Sequence, residues 1–387
     1  MTSIAMKVYD LQWFTTYGMG MREAAQALVD DGIDTVLAQN RYDPLPSSGV
    51  DQSAYLAAYG DRLACYDDQA WMESLRDAGL RVIQTSAVFF DPPALNQFPD
   101  ARPINALGES DQGYDWYVGV CPTAEHYLNW KIDRIRRVVD NLAPDGLFLQ
   151  FTRFPGFWEN WTWNPHYQFT ASDQFCFCDR CLSHFQSATG IDLADGPTSS
   201  KVSMLLGQHR EAWTAWRCEW LTTVIDRITS ASGARVRGME IVLNTLPFPS
   251  HDFEGADVRR TIAGQDLQLL GRVIDGFELM TYLQILNRPT SWLEDAVADA
   301  RKLVPATARV LCSLQSGPLY TEGVHAGRNR NPAITASELE DASRAALRIG
   351  VDGLVFYHWT DFLDDEAAGG TKRQVLRSLR SIDEEYQ

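Results

Sequence analysis

The stretch CFCDRC at 176–181 places Cys176, Cys178 and Cys181 within six positions of a chain with seven cysteines. Thiolates spaced i, i+2 and i+5 can wrap one ion in a tight turn, and Zn²⁺ takes four ligands in a structural site. Cys121, in YVGVCPTAEHY, is the favoured fourth ligand, and His184, in CLSHF, competes with it. A shell of four thiolates leaves no place for water, so such a zinc would be structural and would not enter the reaction. The alternative is three buried or disulfide-linked cysteines. Cys65, Cys218 and Cys312 lie in helix or strand patterns and read as small core residues.

A second set of residues suits proton chemistry. Glu278, in GFELMTYL, shares strand parity with Met280 and Tyr282. Facing an enclosed interior it would be a desolvated acid with a tunable pKa. It could equally be a structural carboxylate paired with an arginine such as Arg153. Trp158, Trp161, Trp163 and Tyr167 crowd one loop, FPGFWENWTWNPHYQF, as a hydrophobic lid or as a stacking platform for a sugar.

These residues need a scaffold, and the hydrophobic pattern describes one. Short β-rich runs alternate with helical stretches eight times. The strand candidates are 4–10, 33–40, 80–90, 146–154, 238–248, 275–285, 308–317 and 351–362. Near-continuous apolar strands separated by helices indicate a parallel sheet covered on both faces. Eight such units close a (β/α)₈ TIM barrel, an α/β fold. Gly32, Gly79 and Gly350 punctuate helix ends before strands. An open doubly wound sheet would call for a G-x-G-x-x-G loop, and the sequence has none. The reading is one catalytic domain over 1–387, with 155–205 as a zinc-binding insertion after the fourth strand. The loops holding Cys121 and CFCDRC would then emerge on one face.

In such a barrel the site lies at the C-terminal ends of the strands. Those ends supply Asp10 and Trp13, Gln39, Asn40 and Arg41, then Gln150, Arg153, Trp158 and Glu159. They continue with Asn244 (Glu240 deeper), Glu278 and Tyr282, Gln315, and finally Tyr357, His358, Trp359 and Asp361. Aromatics, amides and carboxylates suit a saccharide, with its hydroxyl edges and C–H faces.

The cysteine spacing resembles that of the family 42 β-galactosidases. These are (β/α)₈ glycoside hydrolases with one zinc-binding cysteine before the fourth strand and a C-x-C-x-x-C cluster after it. Cys121, Cys176, Cys178 and Cys181 match that arrangement. The stretch DGLFLQFTRFPGFWE is similar to a broader set of glycoside-hydrolase-like barrels. There a DG-(apolar)-x-(apolar)-D-F-x-R-(aromatic)-P strand precedes such a cluster, and the GQDL and MTY segments look like that set too. The resemblance implies glycosidase activity, a structural zinc and no organic cofactor. In family 42, glutamates end strands four and seven, where this chain has Gln150 and Gln315. An amide cannot exchange the catalytic proton as a carboxyl does, so that pair is not carried over.

The resulting expectation is a glycosidase acting on a small oligosaccharide or glycoside. Glu278 is the nucleophile or base. Position 150 is its partner's site in an active form, with Asp361 or Glu159 as substitutes. Asp10, Asn40, Arg153, Trp158, Glu240, Asn244, Tyr282, Tyr357, His358 and Trp359 would bind substrate. Substrate-assisted chemistry through an acetamido group would dispense with a second carboxylate. The rival is a non-catalytic carbohydrate-binding barrel or a carboxylate-depleted variant. A metal-dependent hydrolase needs motifs such as H-x-H or H-E-x-x-H, which do not occur.

The formal net charge of −17 argues against nucleic acid or anionic membrane as partners and suits a neutral or cationic small ligand. The N-terminal stretch has no signal-peptide pattern and no apolar run approaches bilayer length. A soluble, cytoplasmic protein is expected, with room for a homo-oligomer.

Overall fold

A computed structural model of the chain describes residues 2–46, 52–110, 117–161, 167–193, 195–321 and 330–386. Eight parallel strands close into one barrel in chain order. They are β1 (Ser3–Val8), β2 (Thr35–Ala38), β3 (Arg81–Ala87), β4 (Gly146–Gln150), β5 (Glu240–Thr245), β6 (Gly276–Leu279), β7 (Arg309–Gln315) and β8 (Gly353–Tyr357). The register of β8 on β1, with Ser3 opposite Gly353 and Met6 opposite Phe356, closes the ring. The expected (β/α)₈ barrel is therefore present.

Alternation along each strand explains the apolar runs. One parity points inward, where Ala5, Leu37, Ile83, Phe148, Val242, Leu311 and Val355 form a packed layer. The other parity, including Ile4, Met6, Val36 and Leu354, packs under the surrounding helices. Size matters in the inner layer. A Cβ at Gly353 would stand 2.9 Å from Leu311 Cδ2.

The base of the barrel repeats every second strand. Asp34, Asp145, Asp275 and Asp352 each precede an even-numbered strand. Each accepts a hydrogen bond from a backbone N–H of the odd strand before it: Ile4 (2.9 Å), Val82 (2.8 Å), Ile241 (2.8 Å) and Val310 (2.7 Å). These carboxylates satisfy N–H groups that the ladder leaves unpaired at the strand starts.

Three expected elements differ, and one of them is the eighth strand, which stops at Tyr357 and gives way to the helix Trp359–Ala367. The helix foreseen after the fifth strand is two short turns, Val258–Thr261 and Leu267–Leu270. Gly264, at φ +70°, breaks it. The next side chain, Gln265, turns inward to accept from Leu246 N (3.0 Å) and donate to Thr152 O (3.1 Å) and Asn244 O (3.0 Å), tying the β4 and β5 loops together. The sixth strand stops at Leu279, and Leu283–Leu286 is helical.

The segment between β4 and β5 adds helices Asp179–Thr189, Thr198–Leu206 and Arg210–Ala231. They enclose a satellite core in which Phe177 and Phe185 pack on Trp213 beside the cysteines. Arg217, fully buried, donates to Phe175 O (2.9 Å), Ile262 O (3.3 Å) and Thr261 O, which ties the insertion to the loop after β5. Among the described residues no helix is long and apolar enough to cross a membrane.

Candidate active site

A cavity of about 860 Å³ opens at the C-terminal ends of the strands. Most strand ends deliver side chains because the inward parity runs out of packed layer there. Of the sequence candidates, Asp10, Gln150, Arg153, Trp158, Glu159, Asn244, Tyr282, Tyr357 and His358 line it, as does Gln39. Tyr282 and Tyr357 lie with ring centroids 5.4 Å apart, and Tyr9 meets Tyr357 edge-on at 5.9 Å, giving an aromatic floor.

Among the described residues, two carboxyl groups reach the wall. Asp10 accepts hydrogen bonds from Thr360 Oγ1 (2.8 and 2.9 Å to its two oxygens) and from Gln12 N (2.9 Å), with His358 Nδ1 3.6 Å away. These contacts fix its orientation. Glu159 follows Trp158 in a short 3₁₀ turn and is only 6% exposed. Burial pushes its carboxyl up to about 7, against the opposing pull of Arg153 and Arg330. Arg330 also donates to the Glu159 carbonyl oxygen at 2.8 Å.

Several polar atoms of the lining have no hydrogen-bond partner among the described residues: Tyr9 Oη, Gln150 Nε2, Arg153 Nε and Nη1, and His358 Nδ1. Buried polar groups are normally paired. A cluster of unpaired ones converging on a partly apolar cavity is what a hydroxyl-rich ligand would satisfy.

Six other candidates lie outside the wall. Glu278 sits below the floor, fully buried, with Oε1 2.6 Å from Lys7 Nζ and its other oxygen accepting from Asn244. Its ion partner is thus Lys7, in place of Arg153. Asn40 is used internally, donating to Gln84 Oε1 (3.0 Å) and accepting from Asp43 N (2.7 Å). Glu240 begins β5, at the opposite end of the barrel, where it pairs with Arg81 (2.5 Å) and Arg309 (3.0 Å). Trp359 is packed in the core beside Trp13. Asp361 accepts from Ser316 Oγ (2.8 Å) and from His358 N (3.2 Å), capping the helix Trp359–Ala367. Gln315 donates to Gln284 Oε1 (2.9 Å) and borders a separate hollow of about 470 Å³.

In the aromatic loop, Trp158 lines the cavity, whereas Trp161 packs against Phe169 and Phe253 as part of a lid. Tyr167 bonds Asp173 at 2.7 Å. Trp163 lies outside the described residues. Sequence reasoning missed Lys7, Tyr9 and Tyr320. Lys7 had left a signal, since it alternates with Ala5 and Tyr9 in a strand whose inward face is otherwise apolar.

The cysteine cluster forms as the spacing suggested. The sulfurs of Cys121, Cys176, Cys178 and Cys181 all lie within 4.8 Å of one another. Cys121 Sγ is 3.5 Å from Cys181 Sγ and 3.7 Å from Cys178 Sγ. A disulfide would need about 2.05 Å. A tetrahedron of Zn–S bonds of about 2.3 Å has edges near 3.8 Å, so the set fits a zinc ion. Hydrogen bonds from Cys121, Cys176 and Cys181 hold the Cys178 thiol far below its ordinary pKa. Ile104 N donates to Cys176 Sγ at 3.3 Å. His184 is not a ligand in this arrangement, because its ring lies against Trp220, 4.4 Å between centroids.

No family model and no curated protein matches the chain. Solved structures do match its fold. The glycoside hydrolase domain of PgaB (BpsB) from Bordetella bronchiseptica is 15% identical, with a TM-score of 0.65 over 98% of this chain and 99% of that one. A GH42 β-galactosidase from G. stearothermophilus, solved as a catalytic mutant, is 12% identical, with a TM-score of 0.64 over 99% of this chain and 57% of that one. The β-galactosidase of the psychrophilic Marinomonas ef1 is 12% identical, with a TM-score of 0.61 over 97% of this chain and 61% of that one. The chain thus spans the whole of the first domain but under two thirds of the β-galactosidases. What is shared at such identities is the barrel fold.

Proposed function

We propose that the chain is a glycoside hydrolase of small saccharides in which Glu159 donates the proton and Asp10 is the second carboxylate. The observation that carries this reading is Glu159 itself, a carboxyl in the cavity wall with its pKa pushed up to about 7 by burial. An acid poised near neutral pH can protonate the departing glycosidic oxygen. Asp10, held by Thr360 and the Gln12 N–H, is oriented to act on the sugar as nucleophile, base or charge stabiliser. Trp158, Tyr282 and Tyr357 supply faces for sugar C–H groups, and the unpartnered Gln150 amide supplies a donor.

Glu278 takes a supporting part in this reading. Lys7 neutralises it, and the pair holds two cavity residues in place, Asn244 through Glu278 and Tyr282 through Lys7 (2.8 Å). The four cysteines would hold a zinc ion that pins the insertion at the rim. The fold neighbours named as glycoside hydrolases support the reaction class.

Gln150, an amide in the wall where related barrels carry a carboxylate, favours a second reading, a carbohydrate-binding barrel without turnover. One experiment separates the two. Aryl glycosides are assayed for hydrolysis and, by calorimetry, for binding. The hydrolase reading expects turnover, with Glu159→Gln losing roughly 10²–10⁴-fold on glycosides with poor leaving groups. The loss should be far smaller on dinitrophenyl glycosides, whose leaving group departs without a proton. Binding without turnover of any glycoside selects the second reading.

A further inference from the structure

Arg153 is a buried cation whose charge its surroundings answer only in part. It is 2% exposed and lines the cavity, and its Nε and Nη1 have no hydrogen-bond partner among the described residues. Its guanidinium lies 5.7 Å from the Tyr117 ring centroid and 5.2 Å from that of Phe151. The other deeply buried basic side chains are all compensated. Lys7 pairs with Glu278, Lys131 with Asp43 and Asp91, and Arg259 with Asp299, while Arg217 donates to three carbonyls. Burying a cation without a counter-charge is costly. Glu159 interacts with it electrostatically, but burial raises that carboxyl to about 7, so it answers the charge only in part. The Gln150 amide, also unpartnered, adds a second donor to the same wall.

We propose that the cavity takes a glycoside bearing a carboxylate, a uronic acid, and that Arg153 binds that carboxylate. The proposal rests on the saccharide reading of the cavity and narrows its substrate class. A guanidinium matches a planar carboxylate in both charge and donor geometry. A sulfate ester shares the anionic chemistry and is separated below. The chain-wide negative charge acts on encounter at long range, whereas the wall itself presents a cation.

The test measures binding, so it does not depend on turnover. Matched pairs (4-nitrophenyl β-D-glucuronide with the glucoside, and the galacturonide with the galactoside) are titrated calorimetrically into the Glu159→Gln variant. A 6-O-sulfated glucoside is titrated alongside. At least one uronide should bind tenfold or more tighter than its neutral partner and tighter than the sulfated sugar. Adding Arg153→Gln should erase that preference, and Arg153→Lys, which keeps the charge, should retain part of it. Equal binding of uronide and neutral partner in both pairs, or a preference that survives Arg153→Gln, overturns the proposal. An Arg153-dependent preference for the sulfated sugar over both uronides also overturns it. Wild-type hydrolysis distinguishes this failure from that of the hydrolase reading. Turnover of neutral glycosides without uronide preference sinks only the present inference, whereas uronide-selective binding without turnover sinks only the reaction.

Discussion

Lys7 Nζ lies 2.6 Å from Glu278 Oε1 at the centre of the barrel, with the two side chains 1% and 0% exposed. The ammonium also donates to Tyr282 Oη (2.8 Å) and Ser313 Oγ (3.2 Å) and sits among the rings of Tyr9, Phe148, Tyr282 and Tyr357. An ion pair this deep is no guarantee of net stability, but breaking it strands a charge. Lys7→Met should cost about 3–5 kcal/mol, read from urea unfolding. The double variant Lys7→Met/Glu278→Gln should recover much of that loss, since neither charge is then left alone. A single variant within about 1 kcal/mol of wild type would mean that the pair is not what holds the floor.

The cysteine cluster predicts metal content and its consequence. Purified protein should carry one zinc per chain by elemental analysis. Cys178→Ser should lose the metal, lower the unfolding temperature and make 155–205 sensitive to protease, because that segment's satellite core packs around the cysteines. Cys218, whose sulfur lies apart from the set, should tolerate serine with the zinc retained. A zinc-free protein of full stability would refute the structural role.

Asp361 separates capping from catalysis. It sits at the third position of its helix and accepts the His358 N–H. Asp361→Ala should cost about 0.5–2 kcal/mol of stability, as lost caps do, with kcat on any accepted glycoside little changed. A Cβ at Gly317 would meet Asp361 Oδ1 at 2.4 Å, so Gly317→Ala should destabilise by the same route. A loss of kcat of a hundredfold or more in Asp361→Asn at unchanged stability would return Asp361 to the reacting pair.

The barrel was legible because its signals are local and repeated. Apolar runs and helix-ending glycines recur along the chain, and each has one structural meaning. The cysteine set was legible because thiolates at that spacing have few other uses. The wall was harder to read. Strand-end position did not reveal that Asn40 turns to Gln84 while its neighbour Gln39 faces the cavity. Parity placed Glu278 on the inward face, but its depth there follows from where β6 begins and from a lysine five strands earlier in the chain, on β1. Such pairings are set by the closure of the ring, which no local pattern encodes.

Glu159 makes the pH dependence specific. Its carboxyl, ordinarily near 4.5, is raised to about 7, chiefly by burial. As general acid it must be protonated, so hydrolysis should fall as pH rises through about 7, and the alkaline limb should vanish in Glu159→Gln on substrates that need no proton. Stability should follow the same group. With the folded value above the unfolded one, the folded state binds the proton more tightly. The contribution is therefore complete below about 4.5 and is lost as pH rises toward and through about 7. Unfolding free energies measured across pH 4–8 should decline more steeply in wild type than in Glu159→Gln. Identical slopes in the two proteins, together with an unchanged alkaline limb, would place the titrating acid elsewhere in the wall, and Asp10 would be the next residue to exchange.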